Sequence, residues 1–289
     1  MIHFFNKLNY FLPQFLGNNV SSIKKIPAKR FVIENGSFSI KNQQDNLISE
    51  VPVALVYNGI SHTVMMCTPQ DLDDFALGFS LAENILQEKK ELYGLDIVES
   101  CNGIEIQMEI STRRFVELKA KRRSMAGRTG CGICGVEQLE QVQQDGRNFV
   151  KTDRLQAVSP LIFNHCLAQL ENAQTLAKET GASHAAAFFT PEGKMLAIRE
   201  DVGRHVALDK LLGWYAKADS PLGFVFVTSR ASFEMVQKCL TCGIEMLCAI
   251  SATTEMAQQM AEENGFTLLA FTRKGRATIY SGSDRLALD

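Results

Sequence analysis

The chain has no run of eighteen apolar residues, so its pattern asks for no bilayer-spanning helix. It has no excess of charge either: 289 residues carry a formal net charge of -2, so any basic site has to be a local patch. No internal repeat or low-complexity segment stands out, which argues against a solenoid or a linker protein. An export signal is also missing. The first twenty residues, "MIHFFNKLNYFLPQFLGNNV", are apolar and aromatic, but Asn6, Asn9, Pro13 and Gln14 interrupt them, Lys7 alone is basic, and no small-x-small cleavage site follows. They read as an N-terminal arm on a cytoplasmic protein.

What is present describes an ordinary globular chain: 46% hydrophobic and 21% charged, enough for a core without covalent staples. Eight cysteines without an export signal point to a reducing compartment, where thiols serve as core filler, metal ligands or catalysts. They are Cys67, Cys101, Cys131, Cys134, Cys166, Cys239, Cys242 and Cys248, and only Cys131/Cys134 and Cys239/Cys242 have ligand-like spacing.

In "VPVALVYNGISHTVMMC", Asn58-Gly59 between β-rich runs predicts a hairpin, because both central positions of a type I′ turn need positive φ. "TPQDLDDFALGFSLAENIL" predicts a helix capped by Thr68, with Pro69 first and Leu72, Phe75, Ala76, Phe79 and Ala82 along its apolar face. "GIEIQMEI" alternates as a half-buried strand, and "RFVEL" reads as its partner. A helix is expected from about Val136, and a domain boundary in the polar stretch between 145 and 158. Beyond it, helical "SPLIFNHCLAQLENAQTLAKETG", the strand pair "HAAAFFT" and "MLAIRED", and then helices alternating with the buried strands "GFVFVTS", "EMLCAIS" and "FTLLAFT" argue for a sheet between helices.

The stretch "GRTGCGICGV", residues 127–136, sets Cys131 and Cys134 among glycines, after a run from 113 to 128 with seven basic residues against the single Glu117. Its residues alone leave several readings open. A thioredoxin-like pair needs its first cysteine at a helix N-terminus. Zinc needs four ligands, and Cys239 and Cys242 lie in an amphipathic helix where they read as core; His165 or Cys166 could still supply a ligand, but no structural metal is expected. A reactive thiolate on a glycine-rich loop, with cations favouring the thiolate, competes with a plain surface loop.

"GRTGCGICGVEQL", "HAAAF", "REDVGRHVALDKLLG", "SRASFEMVQK", "SATTEMA" and "FTRKGRATIY" together resemble the FdhD family of formate dehydrogenase accessory sulfurtransferases over about residues 45 to 285. The resemblance implies a sulfur carrier. An IscS-type cysteine desulfurase would load sulfane sulfur on Cys131 as a persulfide, and Cys134 would assist or resolve it. The sulfur would pass to a molybdenum or tungsten bis(molybdopterin guanine dinucleotide) cofactor destined for the formate dehydrogenase catalytic subunit. It further implies a homodimer, and an α/β fold whose C-terminal αβα domain (151–289) is cytidine-deaminase-like beside a smaller α+β domain (28–150), after an arm at 1–27. Deaminase chemistry does not follow, because "HAAA" puts Ala186 where the proton-shuttling Glu would stand.

Two clusters are the binding candidates. Phe271, Thr272, Arg273, Lys274, Gly275 and Arg276 join an aromatic ring, a glycine and three cations after a buried strand; given the resemblance, they are expected to hold the purine-nucleotide end of the cofactor, with GDP as a fragment ligand. "REDVGRH" places Arg199, Glu200, Asp201, Arg204 and His205 at a strand-to-helix junction, where Arg204 and His205 can meet a phosphate. Asp201 can instead cap the helix and pair with Arg204. A nucleic-acid partner is not expected, since the chain is acidic overall and carries no such motif.

Overall fold

The computed structural model describes residues 21–126, 149 and 152–288, so Cys131, Cys134 and the helix expected from Val136 lie outside the described residues. Strands β1 (Ile23–Glu34) and β2 (Ser37–Ile48) form a two-stranded antiparallel ribbon turning at Asn35 and Gly36, both at positive φ. β1 thus begins inside the segment assigned to the arm. The predicted hairpin follows as β3 (Val51–Tyr57) and β4 (Ile60–Cys67), with Asn58 at φ 45 and Gly59 at φ 79. After helix α1 (Leu72–Ala82) come β5 (Leu92–Ser100) and β6 (Gly103–Ile110), completing a sheet of order β4-β3-β6-β5.

The partner of β6 is therefore β5, and "RFVEL" lies in helix α2 (Thr112–Ala126). Pairing at helical spacing decides it: Arg113 meets Glu117 at 3.2 Å, and the buried Arg114 grips Glu117 at 2.6 Å and Glu91 at 2.8 and 3.0 Å. Helix α1 starts at Leu72 after Asp71, later than predicted, because the backbone and hydroxyl of Thr68 are engaged by the second half of the chain.

The predicted helix at 159–181 is interrupted at Gln174. It forms α3 (Phe163–Ala173) and α4 (Thr175–Thr180), closed by Gly181 at φ 68. Then follow β7 (His184–Phe189), β8 (Met195–Asp201), α5 (Arg204–Lys217), β9 (Phe224–Val227), α6 (Phe233–Thr241), β10 (Met246–Ala249), α7 (Glu255–Glu263), β11 (Thr267–Arg273) and β12 (Arg276–Ser281). The sheet order is β12-β11-β10-β9-β7-β8, with β9, β10 and β11 parallel and the others antiparallel.

Alternation along these strands builds an αβα sandwich. Ala186, Phe188, Val225, Val227, Leu247 and Leu268 face Leu208, Leu211, Val236 and Met260 of α5, α6 and α7. Ala187, Phe189, Phe224, Phe226, Met246 and Leu269 face Phe163, Cys166 and Leu170 of α3. Each such large apolar side chain contributes about 1.5–3 kcal/mol on burial. Cys239 belongs to the first of these cores, with Cys242 packed against it. Burial pushes the Cys242 thiol up to about 12 and that of Cys239 well above its ordinary value, so both stay protonated hydrophobes.

Helix α1 lies between the four-stranded sheet and α5. A methyl group on Gly78 would collide with the Asp209 carbonyl, and one on Gly213 with the Asp74 carbonyl, so the two backbones touch through paired glycines. Buried charge surrounds the crossing. Arg199 bonds Asp74 at 2.6 Å, Lys210 bonds Asp201 at 2.7 Å, and Lys238 bonds Glu83 at 2.7 Å and Asp209 at 2.9 Å.

Candidate functional site at the carboxyl edge of the six-stranded sheet

Parallel strands β9, β10 and β11 direct their carboxyl ends to one edge, where ligands of open α/β sheets bind. The antiparallel β7 begins at that edge with His184, opposite Asp201 at the end of β8. Four segments meet there: 201–205, 228–234, 250–254 and 271–276. Backbone bonds knit them, with Ala231 N donating to Ala252 O at 3.0 Å, Thr254 N to Ala231 O at 3.2 Å and Phe271 N to Ser251 O at 2.9 Å.

The junction "REDVGRH" divides in two. Arg199 is spent on Asp74. Glu200 accepts from Leu176 N at 3.0 Å, Ala177 N at 2.9 Å and Ser183 Oγ at 2.8 Å, and so caps α4. Asp201 does not pair with Arg204: its carboxylate accepts from Lys210 Nζ, from Thr68 N at 2.8 Å and from Gly203 N at 2.8 Å. These three acidic and basic groups are structural. Arg204 and His205, in the first turn of α5, are different. Arg204 Nε is buried with no hydrogen-bond partner among the described residues. His205 Nε2 lies 2.6 Å from Glu234 Oε2 without the alignment of a directed hydrogen bond, and its presence holds the Glu234 carboxyl below the usual range against partial burial. Burial, reinforced by Arg204, pushes His184 down, so its imidazole is neutral at pH 7.

Phe271 is not core. It sits at φ 50 in a bulge between Ala270 and Arg273, with its ring 40% exposed. Thr272 is fully buried, and its Oγ1 has no partner among the described residues. Arg273, Lys274, Gly275 and Arg276 form the exposed β11–β12 turn, with Gly275 at φ 78 and its N–H donating 2.8 Å to Asn164 Oδ1 of α3. The two candidate clusters therefore share an edge. They lie four strand positions apart, roughly 19 Å at the usual strand spacing.

Sequence reasoning missed Ser232 and Glu234. Ser232 N-caps α6, yet its Oγ is buried and orphaned. The serine after a buried strand and before an amphipathic helix is a cap pattern that was available to find it. At the opposite edge, a cavity of about 20 Å³ lined by Glu245, Phe266 and Arg285 has room for a water, not for a nucleotide.

Buried donors and hydroxyls without hydrogen-bond partners among the described residues, an exposed ring and a turn of cations thus gather at one end of the α/β sheet, a chemistry that can meet an anionic ligand. The fold is that of a solved structure described as a putative formate dehydrogenase accessory protein from Desulfotalea psychrophila, with a TM-score of 0.71 at 21% identity over 91% of this chain and 99% of that one. The FdhD/NarQ family model matches residues 48–287, and the chain belongs to that family.

Proposed function

We propose that this protein serves the maturation of formate dehydrogenase as a sulfur carrier. Membership of the FdhD/NarQ family across residues 48–287 carries the reading, supported by the carboxyl edge. The Cys131 thiolate attacks the outer sulfur of a desulfurase persulfide; that S–S bond breaks, the desulfurase thiolate leaves, and Cys131 holds the sulfane sulfur. The acceptor is the bis(molybdopterin guanine dinucleotide) cofactor of molybdenum or tungsten, bound as client. Attack of the Cys134 thiolate on the inner sulfur of Cys131 leaves a Cys131–Cys134 disulfide and releases hydrosulfide to that client.

The residues present fit the guanine nucleotide end of such a client. Phe271 offers a ring face, Arg273, Lys274 and Arg276 offer charge, and the orphaned Arg204 Nε and Ser232 Oγ offer donors for phosphate oxygens. Incubation with a cysteine desulfurase and cysteine, followed by peptide mass spectrometry, tests the relay. One sulfur is expected on Cys131 and none after Cys131→Ala, which should also fail to restore formate dehydrogenase activity in cells lacking the native gene. Full restoration by Cys131→Ala would leave a cofactor chaperone with dispensable thiols.

A further inference from the structure

The four-stranded sheet is covered on one face only. Alternation turns Val51, Val53 and Leu55 of β3 and Ile104, Ile106 and Met108 of β6 towards Phe75 and Phe79 of α1, so the residues between them look the other way. On that outer face Met66 stands opposite Pro52, Val64 opposite Ala54, and Glu105 between Ala54 and Val98. Val64, Met66 and Val98 are 48%, 47% and 42% exposed, and Glu105, Glu109 and Asp96 are exposed beside them. An apolar band thus runs along β4 and β3, with an acidic band on β6 and β5.

A segment of matching character joins the chain at the end of the apolar band. Ser49 N donates to Ser22 O at 2.8 Å, and Pro52, opposite Met66, follows three residues later. Upstream and outside the described residues, the sequence places Phe4, Phe5, Leu8, Phe11 and Leu12 at helical spacing. His3, Asn6 and Tyr10 fall on the opposite side, Lys7 falls at the flank, and Pro13 ends the pattern.

We propose that residues 1–12 dock as an amphipathic helix on the outer face of the same chain's four-stranded sheet. Phe4, Phe5, Leu8, Phe11 and Leu12 cover Val64, Met66, Ala54 and Pro52, and Lys7 at the flank faces the acidic band of Glu105 and Asp96. Reach permits it. Residues 13–21 span at most roughly 30 Å, and a helix of twelve residues, about 18 Å, fits along the eight residues of β4, about 26 Å. Width favours this sheet over the β1–β2 ribbon, where Phe31, Ile33, Phe38 and Ile40 are also exposed. Four strands measure about 14 Å across and two about 5 Å, against about 10–12 Å for a helix with its side chains. A lone Lys7 is too little basic charge for a helix that lies on an anionic bilayer. The docking is independent of the sulfur relay.

Hydrogen exchange of the full chain, read by mass spectrometry, tests it. In the wild type the amides of 2–12 are expected to exchange at least about tenfold more slowly than in an unstructured chain. Val64→Asp with Met66→Asp, at exposed positions, should remove that protection while leaving the amides of α1 unchanged, and Phe5→Asp with Leu8→Asp should remove it from the other side of the contact. Wild-type amides of 2–12 that exchange at the unstructured rate, or protection that survives Val64→Asp with Met66→Asp, would overturn the proposal. Protection lost instead with Phe31→Asp and Phe38→Asp would put the segment on the ribbon. Protection that disappears on about tenfold dilution would put it on a second copy, and protection seen only with phosphatidylglycerol vesicles would put it on a membrane. Each of these three outcomes overturns docking on the same chain's sheet.

Discussion

Two regions of this molecule use the same kinds of side chain to opposite ends. Beneath the crossing of α1 and α5, Asp201, Lys210, Asp209 and Lys238 are buried and every one of them meets an opposite charge. At the carboxyl edge, Arg204 Nε, Ser232 Oγ and Thr272 Oγ1 are buried without a hydrogen-bond partner among the described residues, and three cations of the β11–β12 turn face solvent. Burying a polar atom without a partner costs about 1–3 kcal/mol; at the crossing Asp209 Oδ1 also lacks a directed hydrogen bond, but it faces the charge of Lys238 Nζ at 2.9 Å. Charge pairing thus separates the two regions: the crossing has its opposite charges in place, and the edge keeps donors without hydrogen bonds.

The largest effect that tests this contrast is on the crossing. Asp201→Ala leaves Lys210 buried with only the Thr68 carbonyl, and should lower unfolding free energy by about 3–5 kcal/mol in a denaturant titration. A loss below about 1 kcal/mol would mean that the crossing is no more finished than the edge. Next comes a pH effect. Burial pushes the Asp209 carboxyl up to about 6 despite Lys238 beside it. The folded state therefore keeps a proton that the unfolded chain gives up, so this group's contribution is greatest below the unfolded carboxylate value and declines as pH rises through 6. Asp209→Asn should remove that slope, worth at most about 3 kcal/mol, from thermal midpoints measured between pH 4 and 8; an unchanged slope would contradict it.

The edge should respond the other way. Arg204→Ala should weaken guanosine diphosphate by roughly tenfold to a hundredfold in calorimetry, the worth of a charge-assisted hydrogen bond, while leaving stability within about 0.5 kcal/mol. Equal binding with lost stability would place Arg204 with the architecture. Smallest of all, Arg273→Ala, Lys274→Ala and Arg276→Ala remove exposed charges one at a time, and each should weaken the nucleotide by tenfold or less with no change in melting. Unchanged affinity in all three would confine the ligand to the Arg204 side of the edge.

The strands of both sheets were largely legible in the sequence, because buried runs such as "GFVFVTS" and the alternation of "GIEIQMEI" are local signals. The Asn58-Gly59 turn was legible for the same reason. Asn35-Gly36 carries the same dipeptide between alternating residues, so the ribbon was within reach of that reasoning. Strand β5 and helix α2 were not. "RFVEL" has a strand-like composition, and the features that accompany its helix, Arg113 and Arg114 on Glu117, Arg114 on Glu91 and Leu118 in the core, lie partly across the fold. The edge candidates Phe271 to Arg276 and Arg204 were visible as residue types, but which charges of "REDVGRH" remain free depends on partners more than a hundred residues away.

Those distances bear on how the chain reaches its native state. The Thr68 amide bonded to Asp201 spans 133 residues, and the glycine contact of α1 with α5 closes a loop of similar length. Contacts of such sequence separation raise contact order and slow folding. During synthesis at about 5–20 residues per second, α1 waits several seconds for the helix that covers its glycine face. Through that interval the N-terminal half leaves the face of α1 around Gly78 and Ala82 uncovered, an aggregation hazard, so refolding yield should fall steeply with concentration. Helix α5 supplied as a separate peptide should slow that loss.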